Sequence, residues 1–560
     1  MSGIVSIFIS HPHYTFLTII FFLTAYGIGI NSIQILPIFL LSALKIYIDR
    51  GVARRDWYTL FVIPVLALGT AYAFYDPASP VNPLESSLAL ALLGGIFSTV
   101  AVITVGVAVV VARTLPDSQF TWASFFVFPA VWSLGWMAAG RTSPLGRWGD
   151  WTQESSGIVD PFLQIASYFG LPGVDFLMAL LAAVIVVWAE RLMVEDEDME
   201  SLHGISSYDY GAVSSEHVVE NAEEPLVPRD KHLLRSKPVF GHAPFYSALF
   251  LVAVVFAGSA RLATVQQTND KMQVTSLACI LRPPLTNSSN PLTNSSKQDP
   301  IDDMFTETSR YSNHAKLLLW SESAVTITRQ RDLDQVFEIA KNYSRLQHIY
   351  LGITYLILAD DNSRKYKNML TMFDPKGEVL FEYEKTHPVP FAESFTVKAG
   401  PGLLPLEPVS FPIPKKNRRQ DPITVSAAIC LDMDFPGLLS QASSAQLVLS
   451  PAQTWSPAIG RVHFNMARVR AIEQGFAVLR CDSGGVSGFV DEFGRIKYYQ
   501  EADYAGGTSR SFVVNWKPGY KVDTWYGVVG DWGAAGAIVG LVGFAWVVDR
   551  NLKKVTAVEV

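Results

Sequence analysis

The chain has 560 residues, of which only 17% are Asp, Glu, Lys or Arg, against roughly a quarter in soluble globular chains. Its 49% apolar and 12% aromatic content excludes a largely disordered chain, its 39 Gly and 32 Pro exclude a fibrous repeat, and its net charge of -7 leaves no basic footprint for nucleic acid. Three cysteines, Cys279, Cys430 and Cys481, are too few for a disulfide scaffold and lack the C-x-x-C spacing of structural zinc.

The missing charges are concentrated in particular stretches. A bilayer-crossing helix needs about 20 mainly apolar residues, and windows of this character run over 14–30, 33–48, 57–75, 88–111, 120–139, 171–189, 245–263 and 525–548. The expectation is therefore a polytopic α-helical membrane protein with about eight transmembrane helices. Asn31, Gln34 and Pro37 make the first two windows short, so they read as a tight hairpin or a partly re-entrant pair rather than two full spans. The N-terminus lacks the charged region and cleavage site of a removable signal peptide, which leaves the first helix as an anchor. Lys45, Arg50, Arg54, Arg55, Arg113, the basic residues of 191–237, Arg550, Lys553 and Lys554 all fall on one side of this arrangement, the cytoplasmic one by the positive-inside rule. Arg141 and Arg147 are the exceptions. The same orientation places the long segment before the last helix outside the cytosol, in an exoplasmic or lumenal position.

The domain reading is helices one to six over 1–193, an acidic disordered cytoplasmic loop over 194–243, helix seven over 244–264, a catalytic domain over 265–523, helix eight over 524–549 and a cytoplasmic tail over 550–560. Within the large domain, apolar runs at 272–281, 316–320, 349–359, 368–373, 424–430, 447–450, 477–481 and 486–491 suit buried strands covered by helices, one of them at 461–474. Sequons at Asn287, Asn294 and Asn342 are compatible with glycosylation in a secretory-pathway membrane.

Three strand ends carry reactive residues. Glu322 follows Lys316-Leu-Leu-Leu-Trp320, Lys385 precedes Thr386-His-Pro-Val-Pro-Phe-Ala-Glu393, and Cys430 ends Thr424-Val-Ser-Ala-Ala-Ile-Cys430. Taken singly, such a Cys is equally a core residue and such a Lys or Glu is usually solvated or paired. Taken together, Trp320-Ser-Glu322, Glu384-Lys385 through Glu393, and Ile429-Cys430-Leu-Asp-Met-Asp-Phe-Pro436 resemble in order and spacing the Glu, Lys and Cys motifs of the nitrilase (carbon-nitrogen hydrolase) superfamily. Within it the closest resemblance is to the apolipoprotein N-acyltransferases, the multi-helix membrane branch. That resemblance implies an exoplasmic α/β nitrilase-type αββα sandwich, catalysis by Glu322, Lys385 and Cys430, and supporting carboxylates at Glu393 and Asp432.

The chemistry of such a triad is explicit. A Cys thiol is an effective nucleophile once deprotonated, a carboxylate such as Glu322 can take its proton, and an ammonium such as Lys385 stabilises an oxyanion. The resemblance implies that a phospholipid acyl donor forms a thioester on Cys430, and that an amine-bearing protein or small molecule accepts the acyl group. The scheme needs no cofactor and no metal. His387 and His463 lack metal-ligand spacing with a second ligand.

This sequence departs from the family at two places. Leu431-Asp432 stands where the bacterial enzymes carry Tyr-Glu, and Ser450-Pro-Ala-Gln-Thr-Trp455 replaces their Ser-Asn-Asp-x-Trp loop, so that Ser450 and Trp455 become candidates for shaping the acceptor site. Two other readings stand beside the acyltransferase: a membrane-tethered amidase using the same triad, and a non-catalytic membrane scaffold. Cys279 and Cys481, each at the end of an apolar run, are either a disulfide pair or two buried thiols.

Overall fold

The computed structural model describes residues 12–28, 33–49, 62–63, 65–67, 83–115, 122–152, 160–206, 243–266, 273–282, 300–359, 363–410, 422–502, 508–516 and 521–558. Among the described residues, six helices longer than ten residues come first: α1 (Pro12–Gly27), α2 (Leu36–Asp49), α3 (Pro83–Thr114), α4 (Trp122–Thr142), α5 (Ala166–Ser206) and α6 (Ala243–Gln266). Leu17, Leu40, Leu44, Val105, Trp132, Trp136, Trp151 and Met178 pack into one buried cluster, so α1 to α5 share a core. Helix α5 breaks at Gly170, whose φ of 63° belongs to the left-handed region that glycine enters without strain.

A two-sheet domain follows. Its first sheet runs β13-β1-β2-β4-β5-β6 with β3 beside β4, where β1 is Gln273–Ile280, β2 Leu317–Trp320, β3 Val325–Ile327, β4 Tyr350–Leu358, β5 Tyr366–Phe373, β6 Val379–Glu384 and β13 Arg510–Trp516. The second runs β12-β11-β10-β9-β8-β7, with β7 at Glu407–Val409, β8 at Ile423–Ala427, β9 at Leu447–Ala452, β10 at Ala477–Asp482, β11 at Val486–Val490 and β12 at Ile496–Glu501. Central pairs β1/β2, β2/β4, β8/β9 and β9/β10 are parallel.

Period-two alternation assigns each strand two faces. Leu277, Leu317 and Leu319 meet Val425, Leu447, Leu449 and Leu479 between the sheets. The opposite face of the first sheet, with Leu318 and Trp320, buries Phe305 of α7 (Pro300–Ser312) and Leu333 and Val336 of α8 (Gln330–Gln347). Val448 and Val478, on the outer face of the second sheet, lie under Phe464, Ala467 and Ala471 of α9 (Pro457–Gln474). The layers are thus α, β, β, α, as expected. Cys279 of β1 and Cys481 of β10 form a disulfide with Cα atoms 5.2 Å apart, which selects the bonded alternative and staples one sheet to the other.

The chain closes with α10 (Trp525–Val558). Among the described residues five helices are long and apolar enough to cross a membrane, at Gly94–Thr114, Trp122–Thr142, Ala166–Ala189, Ala243–Ala263 and Trp525–Asn551. Helices α1 and α2 are shorter, with 16 and 14 residues, and most of the window at 57–75 lies outside the described residues.

Two local expectations need correction. The loop read as unstructured from residue 194 begins as helix: α5 continues to Ser206, because a helix already formed propagates through a stretch without Gly or Pro such as Glu195-Asp-Glu-Asp-Met-Glu-Ser-Leu202. Residues 207–242 lie outside the described residues. Cys430 does not end a strand either; β8 stops at Ala427, and Cys430 opens a 3-10 turn to Asp434.

Candidate active site

The site forms where strand ends of the two sheets meet. Glu322 lies two residues past β2, Lys385 directly follows β6, and Cys430 follows β8 of the other sheet. All three side chains are buried, at 2%, 0% and 4% exposure.

Lys385 is the hub. Its Nζ donates to Glu322 Oε1 at 2.6 Å and to Glu393 Oε2 at 2.6 Å. Glu322 Oε1 also accepts Asn368 Nδ2 at 2.9 Å, while its Oε2 accepts the backbone N–H of Gln453 at 2.9 Å. The Cys430 thiol hydrogen-bonds to the same carboxylate. Burial would lower the Lys385 pKa, but the surrounding acidic groups, Glu322 foremost, outweigh it and hold the ammonium above its ordinary value. Burial pushes the Glu322 carboxyl up, against the pull of Lys385. Burial and then the Glu322 charge push the Cys430 thiol well up, opposed by Lys385 and Arg480. The resting group is therefore a neutral thiol aimed at a carboxylate, an arrangement in which the carboxylate could take the thiol proton.

The backbone here is held in uncommon conformations. Cys430 has φ 50°, Ser323 beside Glu322 has φ 51°, and Phe391 in the loop to Glu393 has φ 64°. For residues with a Cβ each such left-handed position costs roughly 1–3 kcal/mol and persists only where its surroundings over-determine it. Asp432 supplies much of that support. Its Oδ2 accepts Ile429 N at 3.2 Å, Thr386 N at 3.3 Å and the Tyr383 hydroxyl at 2.7 Å, and its Oδ1 accepts His387 N at 2.8 Å. One carboxylate thus ties the Cys430 turn to the loop after Lys385.

The structure brings Glu322, Lys385, Cys430, Glu393 and Asp432 together. It does not bring Ser450 into this group: two residues on from Val448, it sits fully buried on the α9 side of β9, and its hydroxyl has no hydrogen-bond partner among the described residues. Trp455 is 41% exposed and meets Trp148 edge-on. His387 Nδ1 is 2.9 Å from Asp432, and His463 Nδ1 is 2.9 Å from Asp434. Asn368, Tyr383 and the Gln453 N–H were not foreseen. A buried Asn inside the apolar strand Tyr366–Phe373 is the signal that points to the first; a backbone donor leaves none.

The turn also touches the helices. Leu431 packs with Leu145, Trp148 and Ile459, joined by Phe97 of α3, Val389 and Phe435. The N–H of Arg147 donates to Asp434 O at 3.0 Å, and Arg470 Nε of α9 to Met433 O at 3.0 Å. Leu163, Leu171 and Val174 pack on Met466, Val469 and Ile472 of α9, and Glu473 accepts the N–H of Leu171 at 2.6 Å, just past the Gly170 break.

Residues 293–506 match the family described as carbon-nitrogen hydrolase. This segment is a carbon-nitrogen hydrolase domain. The chain is similar to apolipoprotein N-acyltransferases: that of Rhizobium rhizogenes is 28% identical over 196 residues, 32% of this chain and 36% of that protein. The one from Methylococcus capsulatus is 27% identical over 330 residues, 54% of this chain and 60% of that protein. The Gloeobacter violaceus protein is 34% identical over 136 residues, 22% of this chain and 26% of that protein. The chain thus spans a little over a third of the first of these relatives, 36% of its length. Among solved structures, an amidase from Nesterenkonia sp. is 19% identical with a TM-score of 0.33, over 45% of this chain and 91% of that one.

Proposed function

We propose that the protein is a membrane N-acyltransferase in which Cys430 carries the acyl group as a thioester. Cys430 Sγ bonds to the carbonyl carbon of a phospholipid ester as Glu322 takes the thiol proton. The ester C–O bond then breaks and the proton leaves with the lysophospholipid oxygen. An amine next attacks the thioester, its C–N bond forms, the C–S bond breaks, and Glu322 returns the amine's proton to the sulfur. Lys385, with the backbone N–H after Cys430, stabilises the tetrahedral oxyanion in each half, a contribution of about 2.7–4 kcal/mol per donor in comparable sites. Glu393 orients Lys385, Asp432 holds the nucleophile turn, and Trp455 borders the acceptor side.

The observation that carries the reading is the seam beside the nucleophile: Leu431 shares a buried cluster with Leu145 and Trp148, which lie just past the end of α4, and Phe97 of α3 packs against that cluster. An enzyme of soluble amides has no use for that connection, whereas a lipid donor must pass from bilayer to thiol. The domain over 265–523 is placed on the exoplasmic or lumenal side of a secretory-pathway membrane, supported by the charge distribution and by a disulfide, which persists in oxidising compartments. Homologues named N-acyltransferases support a lipoprotein-like amine acceptor.

Purified protein incubated with labelled phospholipid should acquire a hydroxylamine-sensitive acyl group on Cys430, absent from Cys430→Ala. Amide turnover with no such adduct would establish the hydrolase in its place, and neither activity would leave a scaffold. Topology is checked by glycosidase treatment: Asn342 is exposed on α8, and Asn342→Gln should remove a mobility shift. Reaction of that segment with a cytosolic reagent would reverse the orientation.

A further inference from the structure

We infer that Asp482, locked in place by Arg480, is a positioning residue for Glu322, acting through the turn that follows β9. The inference rests on the reading of Glu322 as the base for Cys430.

Glu322 holds its donors on separate oxygens. Oε1 takes Lys385 and Asn368, and Oε2 takes the Gln453 N–H. The second bond comes from a turn with no regular structure of its own, so something else must fix it. Ala452 O accepts Glu322 N at 3.3 Å on one side and Ser483 N at 3.4 Å on the other, which sets the turn between the two sheets. From the β10 side Asp482 then grips the residue next to Gln453. Its Oδ1 accepts Thr454 N at 2.9 Å and Gly484 N at 3.2 Å, and Thr454 Oγ1 lies 3.2 and 3.1 Å from the two carboxylate oxygens. Arg480 Nη2 donates to Oδ2 at 2.9 Å. Asp482 and Arg480 are 1% and 0% exposed, and a buried carboxylate this fully hydrogen-bonded has one orientation.

Gly484 and Gly485 show how closely the parts approach. A Cβ on Gly484 would stand 2.0 Å from Thr454 O, and one on Gly485 would stand 2.1 Å from Thr454 Oγ1 and 2.6 Å from Asp482 Oδ2. Only backbone fits against this strut. It ends on the reacting groups in two ways: through Gln453 N–H on the base, and through the charge of Arg480, which favours the thiolate of Cys430.

A donor on a carboxylate favours its ionised form, so loosening Gln453 moves the acid limb of activity to higher pH, because the base must be unprotonated to act. The test uses the full chain in detergent and two readouts: the pH profile of Cys430 alkylation by iodoacetamide, and kcat and KM for acyl transfer from phospholipid. Asp482→Ala should move the acid limb up by about half to one pH unit and lower kcat about tenfold with KM unchanged. Asp482→Asn keeps an acceptor for the Thr454 N–H but sets an amide N–H against Arg480 Nη2, so its limb should fall between those of wild type and Asp482→Ala. Gly485→Ala drives a methyl group between Thr454 and Asp482 while keeping the carboxylate's charge, and should reproduce the shift should Asp482→Ala not fold. Profiles that superimpose on wild type in both Asp482→Ala and Gly485→Ala, a change in KM alone, or an Asp482→Asn profile identical to wild type would overturn the inference. The alkylation arm needs no lipid: a limb shift without any acyl adduct in the wild type upholds the strut and removes the acyltransferase reading.

Discussion

Replacing Lys385 by Met tests whether the ammonium is the hub of the site. The side chain is fully buried, with Glu322 and Glu393 each at 2.6 Å and themselves 2% and 23% exposed. Methionine fills nearly the same volume but leaves two carboxylates facing each other with no counter-charge. Removing one partner of a buried pair costs about 3–5 kcal/mol, because the remaining charge stays desolvated. At about 2–4 °C per kcal/mol for a domain of this class, the melting temperature should fall by roughly 6–20 °C at pH 8. The sign of the pH dependence follows from the carboxyls. Burial already pushes the Glu322 carboxyl up against the pull of Lys385, and without that pull it rises further above its unfolded value, so the folded state is favoured below the ordinary carboxylate range and loses that advantage as pH rises. Lys385→Met should therefore be closer to wild type at pH 5 than at pH 8, and Lys385→Met/Glu393→Gln should recover part of the loss at pH 8. Thermal unfolding followed by tryptophan fluorescence in detergent at both pH values measures this. A pH-independent loss, or no gain from the second substitution, would refute the idea that uncompensated carboxylates cause it.

Two further expectations follow from groups outside the triad. Glu492 is 5% exposed, and burial with repulsion from Asp491 pushes its carboxyl up to about 7. Its protonated form favours folding; that contribution is full below the unfolded value and lost as pH rises through about 7. Glu492→Gln, which can still accept from Trp516 Nε1, should raise stability at pH 8 by a few kcal/mol, on the order of 3, with little effect at pH 4, and equal effects at both would contradict the cause given. Cys279→Ser/Cys481→Ser opens a loop with a sequence separation of 202 residues. Chain entropy assigns such a bridge about 5 kcal/mol, so the double variant should unfold at markedly lower denaturant, and an unchanged midpoint would mean that the sheets need no staple.

Much of the fold was legible because buried strands are written as continuous apolar runs: Leu317–Trp320 and Leu447–Ala452 are buried at every position. Strands β3 and β7 escaped notice at three residues each, and β12 and β13 because their exposed positions leave no unbroken apolar run. The break at Gly170, just ahead of the apolar window at 171–189, left no sign in the pattern, since hydropathy counts side chains and not backbone angles. Within the site, Glu322, Lys385, Cys430, Glu393 and Asp432 were legible through short strings whose spacing survives in one dimension. Asp482 was not, because its partner Thr454 lies 28 positions earlier and the group it steadies, Gln453 N–H, has no residue type at all. Ser450 illustrates the converse: a familiar residue at a familiar offset whose strand parity turns it under α9.

The disulfide between β1 and β10 has a practical consequence for anyone handling the protein. With three cysteines in the chain and two of them bonded, Cys430 is its single thiol, so a thiol reagent reports on that position alone without any cysteine being engineered away. The same arithmetic makes reductants hazardous: dithiothreitol in a buffer would create two competing thiols, free one sheet from the other, and intercept by thiol exchange the acyl group an assay sets out to detect. Production in a reducing cytosol would start from that altered state, so material for functional work should come from a host compartment that oxidises the pair during folding.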